Sequence, residues 1–261
     1  MKKNALFTLI ISALIISVLI KINTAFANNN ISQSKSDIIS ENFIKVQVEK
    51  SVNIGRAIKT IVGHYPQQAS SIVGIALDLY PDKYKEIIHA AISTQPTLTA
   101  EVVTIALNKN ISSCTSIVET AINADPSYVD FVVKAAVNTT PEELNEIVRI
   151  AVITEPDSAD YIVQSLAKEH PSKIVDILSS AIGAVPFVGE YVVEALLAIF
   201  PDDAEIVITT AIRESSAQRE HVKRIIKTAH NSGLDLAKIK AYAINGGATT
   251  QELSQVFDDQ K

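Results

Sequence analysis

Residues 126–140 read PSYVDFVVKAAVNTT and residues 141–155 read PEELNEIVRIAVITE, two successive segments that begin with proline and repeat one apolar pattern. If each proline is position 1, aliphatic residues or alanine occupy positions 4, 7, 8, 11 and 12 of both segments. This spacing is typical of one face of an amphipathic α-helix, whereas a half-buried strand would alternate every second residue. The pattern therefore predicts one short helix in each segment.

The same phase extends through most of the chain. Proline recurs at every fifteenth position, except for one gap that is twice as long, in which Ile111 stands at the proline position. Proline is accepted in the first turn of a helix but disrupts a helix interior, so this spacing excludes one continuous rod and favours separate short helices. Short connections between such helices make neighbours antiparallel. The nine prolines are Pro66, Pro81, Pro96, Pro126, Pro141, Pro156, Pro171, Pro186 and Pro201.

Alternate segments differ at position 6, which indicates a longer repeating unit. One set has Phe131, Tyr161 and Tyr191 at this position, and the other set is mostly polar there. The more apolar set predicts helices that are buried on a second side. The unit is then a helical hairpin made of two successive segments, and the predicted fold class is all-α, an α-solenoid of short antiparallel helices in which each helix with its connection takes one segment.

This construction resembles the helical-hairpin solenoids, such as tetratricopeptide and HEAT-like arrays. Their repeats are longer, and their signature residues do not occur in this sequence. The resemblance is therefore one of construction, and no functional residue carries over from it.

The ends of the chain depart from the repeat. Residues 1–27 combine a basic start, an apolar run and the small-residue site Ala25-Phe26-Ala27, which predicts a cleaved signal peptide, with an uncleaved anchor as the alternative. Residues 28–50 are predicted to form a polar extension and a first helix over 37–50, and residues 51–215 the repeat array. Residues 216–261 are predicted to form degenerate capping repeats, with Ala241 at a core position.

The amino-acid composition and the net charge disfavour some classes of function. The chain has a net charge of −6, and removal of residues 1–27 takes away three lysines and no acid, which makes the charge −9. This excess of negative charge disfavours nucleic acid as a partner, because the phosphate backbone is also negative. A single cysteine, Cys114, excludes an internal disulfide framework, and its core position predicts burial. The predicted location is periplasmic or extracellular.

The sequence contains no recognisable catalytic motif. The five histidines show neither i, i+4 spacing nor a His-Glu-x-x-His pattern, and there is no nucleophile elbow and no phosphate-binding glycine loop. We therefore predict no cofactor, no metal and no enzymatic activity. A hydrolase whose site is assembled from residues distant in sequence is the least favoured alternative.

Two groups of residues are candidates for contact with a partner. Aromatic and apolar side chains recur along one set of helices and could either bind an extended peptide or protein or fill space between hairpins. Four basic residues on one later helix could contact an anionic partner or simply face solvent. The first group comprises Phe131, Tyr161, Tyr191, Tyr128, Phe187 and Val188, and the second comprises Arg219, Lys223, Arg224 and Lys227.

The predicted function follows from shape and from the missing catalytic motifs. We expect an exported, non-catalytic helical-repeat protein that acts as a protein-binding or peptide-binding module or scaffold. The alternative function uses the apolar helix over residues 185–200, VPFVGEYVVEALLAIF, for association with a membrane surface or with further copies of the chain. That segment is too short and too charged to span a bilayer.

Overall fold

A computed structural model describes residues 39–258, and within this range the chain forms fifteen short α-helices. The predicted signal peptide and residues 28–38 lie outside the described residues. The chain divides between Ser40 and Glu41 into two units, and all the helices belong to the second unit. The helices are α1 (Glu41–Glu49), α2 (Ile54–His64), α3 (Ala69–Leu79), α4 (Tyr84–Thr94), α5 (Thr99–Asn108), α6 (Cys114–Ala124), α7 (Val129–Thr139), α8 (Leu144–Thr154), α9 (Ala159–Glu169), α10 (Ile174–Ala184), α11 (Gly189–Ile199), α12 (Ala204–Glu214), α13 (Arg219–Asn231), α14 (Leu236–Asn245) and α15 (Thr250–Asp258).

The helices form two layers. Each helix packs against the next helix along the chain and, in most cases more extensively, against the helix after that. The even-numbered helices therefore line up side by side in one layer, and the odd-numbered helices line up in the other. This arrangement confirms the predicted all-α solenoid of helical hairpins.

The core lies between the layers and is formed by the predicted stripe. In α8 the buried residues are those at positions 4, 7, 8, 11 and 12 of the repeat, and the same positions are buried in α10. Burying one such isoleucine or leucine side chain stabilises the fold by about 1.5–3 kcal/mol. Cys114 also lies at position 4, and its burial raises the pKa of the thiol.

Each proline starts a three-residue 3₁₀ turn that leads directly into the following α-helix. In the turn Pro141–Glu143, for example, the backbone N–H of Glu143 donates a hydrogen bond to the carbonyl oxygen of Thr140 at 3.0 Å. Proline fits this position because a residue at the start of a helix donates no intrahelical hydrogen bond, so the missing N–H of proline costs none. Proline also directs the residue before it away from helical geometry. The prolines thus separate the helices as predicted, one turn before each α-helix begins.

Side-chain caps occur at only some of the segment boundaries among the described residues. Asp125 does cap its turn, because its carboxylate accepts a hydrogen bond from the N–H of Ser127 at 3.1 Å. Thr140 does not cap the next turn, because its hydroxyl donates to the carbonyl of Ala136. Where Ile111 replaces proline, no 3₁₀ turn forms, and the Ser113 hydroxyl caps α6.

The repeat phase is interrupted at α14. Val222 and Ile226 of α13 are buried as predicted, but Ala241 is exposed. The buried residues of α14 are Ile239 and Ala243. The prediction for Ala241 is wrong because the connection after α13 lets α14 begin in a different rotation relative to the core.

Candidate binding surface

Three aromatic side chains occupy the same position on three successive helices of the odd layer. Phe131 on α7, Tyr161 on α9 and Tyr191 on α11 are 51%, 52% and 56% exposed. Position 6 points away from the stripe formed by positions 4, 8 and 11, and no further layer among residues 39–258 covers it. We call these three side chains the aromatic ladder. The prediction that the more apolar helices are buried on a second side is therefore wrong at position 6, where about half of each ring is covered and the other half faces solvent.

The three other residues of the aromatic group have different surroundings. Tyr128 is partly buried and packs its ring against Phe131, with the centroids 5.3 Å apart. Phe187 is 51% exposed and lies one turn before Tyr191. Val188 is only 1% exposed, so it belongs to the core and is removed from the candidate surface.

Exposed carboxylates accompany the ladder on two of its helices. Asp157, in the turn before α9, and Asp160 precede Tyr161 by four positions and one position, and Glu194 lies one turn after Tyr191. In the described part of the chain, none of these three carboxylates forms an ion pair within 4.0 Å. They are therefore free to pair with a cationic group of a partner.

The ladder helix α7 is different, because its charged groups are already paired. The Nζ atom of Lys134 lies 3.1 Å from Asp130 on α7 and 3.0 Å from Glu169 on α9. Ser165 also donates a hydrogen bond to Asp130, which is 7% exposed. Burial alone would lower the pKa of Lys134, but its bonds to Glu169 and Asp130 raise it. The end of the ladder at Phe131 is consequently apolar, without a free carboxylate on α7.

The basic group on α13 is largely engaged within the protein. Arg219 forms a two-pronged ion pair with Glu252 of α15 and donates to the carbonyl oxygens of Ser216 and Gly247. Arg219 is therefore a structural residue, and its assignment to an anion-binding patch is corrected.

The other three basic residues differ in how available they are. Lys223 pairs with Glu220 at 2.8 Å, and Arg224 pairs with Glu190 of α11 at 3.4 Å while its side chain stays 59% exposed. Lys227 is exposed and has no ion pair within the described residues. The patch that remains at the surface consists of Arg224 and Lys227.

The apolar run over residues 185–200 is mostly core. Its helix α11 buries Val192, Val193, Leu196 and Leu197 between the layers. Gly189 permits close contact with α13, because an added Cβ atom would lie 3.3 Å from the Cδ1 atom of Ile225. In the range 39–258, no helix has the length and apolar character needed to cross a membrane.

Grooves that the sequence does not predict lie over the described helices of the even layer. One has a volume of about 880 Å³ and extends over α2, α4 and α6, with the buried Ala90 and Thr120 at its floor and Lys59, His89 and Glu119 at its rim. The other, of about 550 Å³, lies over α12 beside Ile206. The first groove lies where small residues meet from helices two places apart along the chain, and a periodicity within one helix contains no information about such a meeting.

Comparison with known proteins does not narrow the possible functions of the chain. No family model, curated protein or solved structure matches the chain. Among residues 39–258, no group of three or more His, Cys, Asp or Glu side chains is placed to hold a metal ion. The molecule is thus described by its fold, a helical-repeat solenoid, and by its most distinctive surface, the aromatic ladder.

Proposed function

We propose that this protein is a non-catalytic binding module that holds an extended polypeptide on the aromatic ladder. The observation that carries the proposal is the exposure of more than half of Phe131, Tyr161 and Tyr191 at one equivalent position of three consecutive hairpins. Aromatic rings are enriched at the centres of protein interfaces. The module works outside the cytoplasm, a location that rests on the predicted signal peptide over residues 1–27.

The energetics of the surface support binding. Covering the exposed half of one ring removes roughly 100 Å² of apolar surface from water, a gain of about 2 kcal/mol before the cost of association. The three rings stand on helices that are held from both sides by neighbours in the same layer. Because the helices are already ordered, little conformational entropy is lost when a partner binds.

The proposal is tested with a random peptide library and the full-length chain. We expect selected peptides to bind the native chain and to bind the triple variant Phe131→Ala/Tyr161→Ala/Tyr191→Ala at least about tenfold more weakly. The matched control is Ile153→Ala/Ile206→Ala, which removes two exposed apolar side chains, each 43% exposed, from the even layer. This control should leave the affinity unchanged.

Thermal unfolding of both variants separates binding from folding. Surface substitutions usually change the free energy of unfolding by less than about 0.5 kcal/mol, so both variants should unfold close to the native temperature. Peptides that bind the triple variant as tightly as the native chain would refute the proposed binding surface.

A further inference from the structure

The charge along the odd layer changes in a fixed order from α7 to α13. Phe131 on α7 has only paired charges on its own helix, Tyr161 on α9 follows the free carboxylates Asp157 and Asp160 by four positions and one position, and Tyr191 on α11 precedes the free carboxylate Glu194 by three positions. Arg224 and Lys227 on α13 follow as exposed cations. The surface therefore offers one aromatic site without a free carboxylate on its own helix, two aromatic sites with free carboxylates and then a basic boundary. The exposed Lys168 of α9 lies two turns beyond Tyr161 and bonds to Gln164.

An acidic aromatic site fits a guanidinium or ammonium group. A cation over a tyrosine ring is attracted by the negative face of the ring, and a neighbouring carboxylate adds a charge-assisted hydrogen bond. Arginine suits such a site best, because its planar group can stack on a ring and bond a carboxylate at the same time. The sites at Tyr161 and Tyr191 thus both suit a guanidinium or ammonium group.

The spacing of these sites selects a chain conformation. Neighbouring packed helices lie about 8–10 Å apart, so successive ladder rings recur at about that interval. In a polyproline II helix, residues three apart lie on the same side at about 9.3 Å. In a β-strand, residues three apart point to opposite faces, and residues two apart are only about 6.6 Å from each other. The ladder therefore matches a polyproline II chain that crosses the helices.

We infer that the partner is a polyproline II segment with two basic residues three positions apart, followed three positions later by an apolar residue. This inference rests on the proposed function of the ladder. The two basic side chains contact Tyr191 and Tyr161 and pair with Glu194 and with Asp157 or Asp160. The apolar side chain contacts Phe131, and the cations on α13 repel a basic residue shifted by one repeat.

The same charges argue against a second copy of the chain as the occupant. Two copies related by a two-fold axis at Tyr161 would place Asp157 and Asp160 of one copy against the same carboxylates of the other. Like charges in such an arrangement oppose association. A basic polypeptide is complementary to these carboxylates, and a second copy is not.

The test uses the full-length chain and three labelled peptides of matched length. The first contains Arg-Pro-Pro-Arg-Pro-Pro-Leu, the second has the same composition with the two arginines adjacent, and the third replaces both arginines with glutamine. We expect the first peptide to bind at least about tenfold more tightly than either of the others in fluorescence anisotropy titrations. Its affinity should also fall as NaCl is raised, because salt screens the exposed pairs.

Charge variants of the protein provide the second part of the test. Asp157→Asn/Asp160→Asn/Glu194→Gln should weaken binding of the first peptide at least about tenfold. The matched control on the even layer is Asp202→Asn/Asp203→Asn/Glu205→Gln, whose three carboxylates are also exposed, and it should leave that affinity unchanged.

The outcomes distinguish this inference from the proposed function. Equal binding of the first two peptides refutes the three-residue spacing, and equal binding of the glutamine peptide refutes the cationic partner. If library peptides still lose affinity for the ladder variant while none of the three designed peptides binds, the inference fails and the proposed function stands. If the ladder variant retains the affinity of every bound peptide, both fail.

Discussion

At the scale of single residues, Glu252 shows how one side chain holds the C-terminal helices together. Glu252 is 6% exposed and accepts hydrogen bonds from Arg219 of α13 and from both the N–H and the hydroxyl of Thr249. The Thr249 hydroxyl in turn accepts from the N–H of Glu252, a capping box at the start of α15. Burial alone would raise the pKa of Glu252, but the bonds from Arg219 and Thr249 outweigh it and lower the pKa to about 2.

The lowered pKa predicts a pH-dependent contribution to stability. We expect Glu252→Gln to reduce the free energy of unfolding by about 2 kcal/mol at neutral pH, because Arg219 loses its buried ionic partner. A carboxyl whose pKa is lower in the folded state stabilises the protein above its unfolded pKa of about 4.5, and the stabilisation disappears as the pH falls from about 4.5 towards 2. Urea unfolding of both proteins between pH 7 and pH 3 measures this convergence.

The control for this prediction is Glu220→Gln. Glu220 pairs with Lys223 at the surface and its side chain is 76% exposed, so its removal should change stability far less. A difference between the native chain and Glu252→Gln that stays constant from pH 7 to pH 3 would contradict the proposed role of the ionised carboxylate.

At the scale of the helix, the size of the side chain at position 11 limits how closely neighbouring helices can approach, and alanine permits a close approach. Ala151 of α8 is fully buried, and α8 packs against α6 and α10 within the even layer. Every even-layer helix from α4 to α12 has alanine at this position, whereas α9 and α11 of the odd layer have Leu166 and Leu196. The even layer thus has a small side chain at this position throughout α4 to α12, where two helices of the odd layer accommodate leucine.

We therefore predict that Ala151→Leu destabilises the array. Three additional carbon atoms have no free volume in a close-packed core, so the free energy of unfolding should fall by about 1–3 kcal/mol. The matched control is Ala198→Leu on α11, where the alanine is exposed and the same substitution should be nearly neutral. Urea unfolding compares the two variants, and an equal effect of both would show that position 11 does not limit helix approach.

At the scale of the whole molecule, stability is divided among neighbours along the chain. The extensive helix contacts among the described residues join helices that are at most two places apart. In such arrays, the total stability is close to a sum of repeat and interface terms. Removal of one complete hairpin should therefore leave the two layers in register.

Two deletions test this property. Deletion of residues 141–170 removes α8 and α9 and joins Thr140 to Pro171, so every later helix keeps its layer. We expect this shorter chain to retain cooperative urea unfolding, with a slope reduced in proportion to its smaller buried area. Deletion of residues 141–155 removes α8 alone and moves every later helix into the opposite layer.

The smaller deletion should be the more damaging one. Helices moved to the opposite layer would present side chains selected for other neighbours, and Lys134 and Asp130 would face new surroundings. Circular dichroism during urea unfolding should show a broad transition for the chain lacking residues 141–155. Equal cooperativity of the two deletion variants would contradict the two-layer register.

The amino-acid sequence by itself determined the helices of the repeat array, their boundaries to within about one turn and their core faces. Proline geometry and the spacing of aliphatic residues act within four or five positions along the chain, so they can be interpreted locally. The alternation at position 6 also identified the two layers and all three rings of the aromatic ladder.

Only the tertiary structure decided which faces remain exposed and which charges are paired. Tyr161 is exposed because no third layer covers it among the described residues. Arg219 is not available to a partner because it pairs with Glu252, which lies far along the chain on α15. Ala241 is exposed because a connection changes the rotation of α14. Each of these properties depends on groups that are distant in sequence and close in space, and a local periodicity contains no information about them.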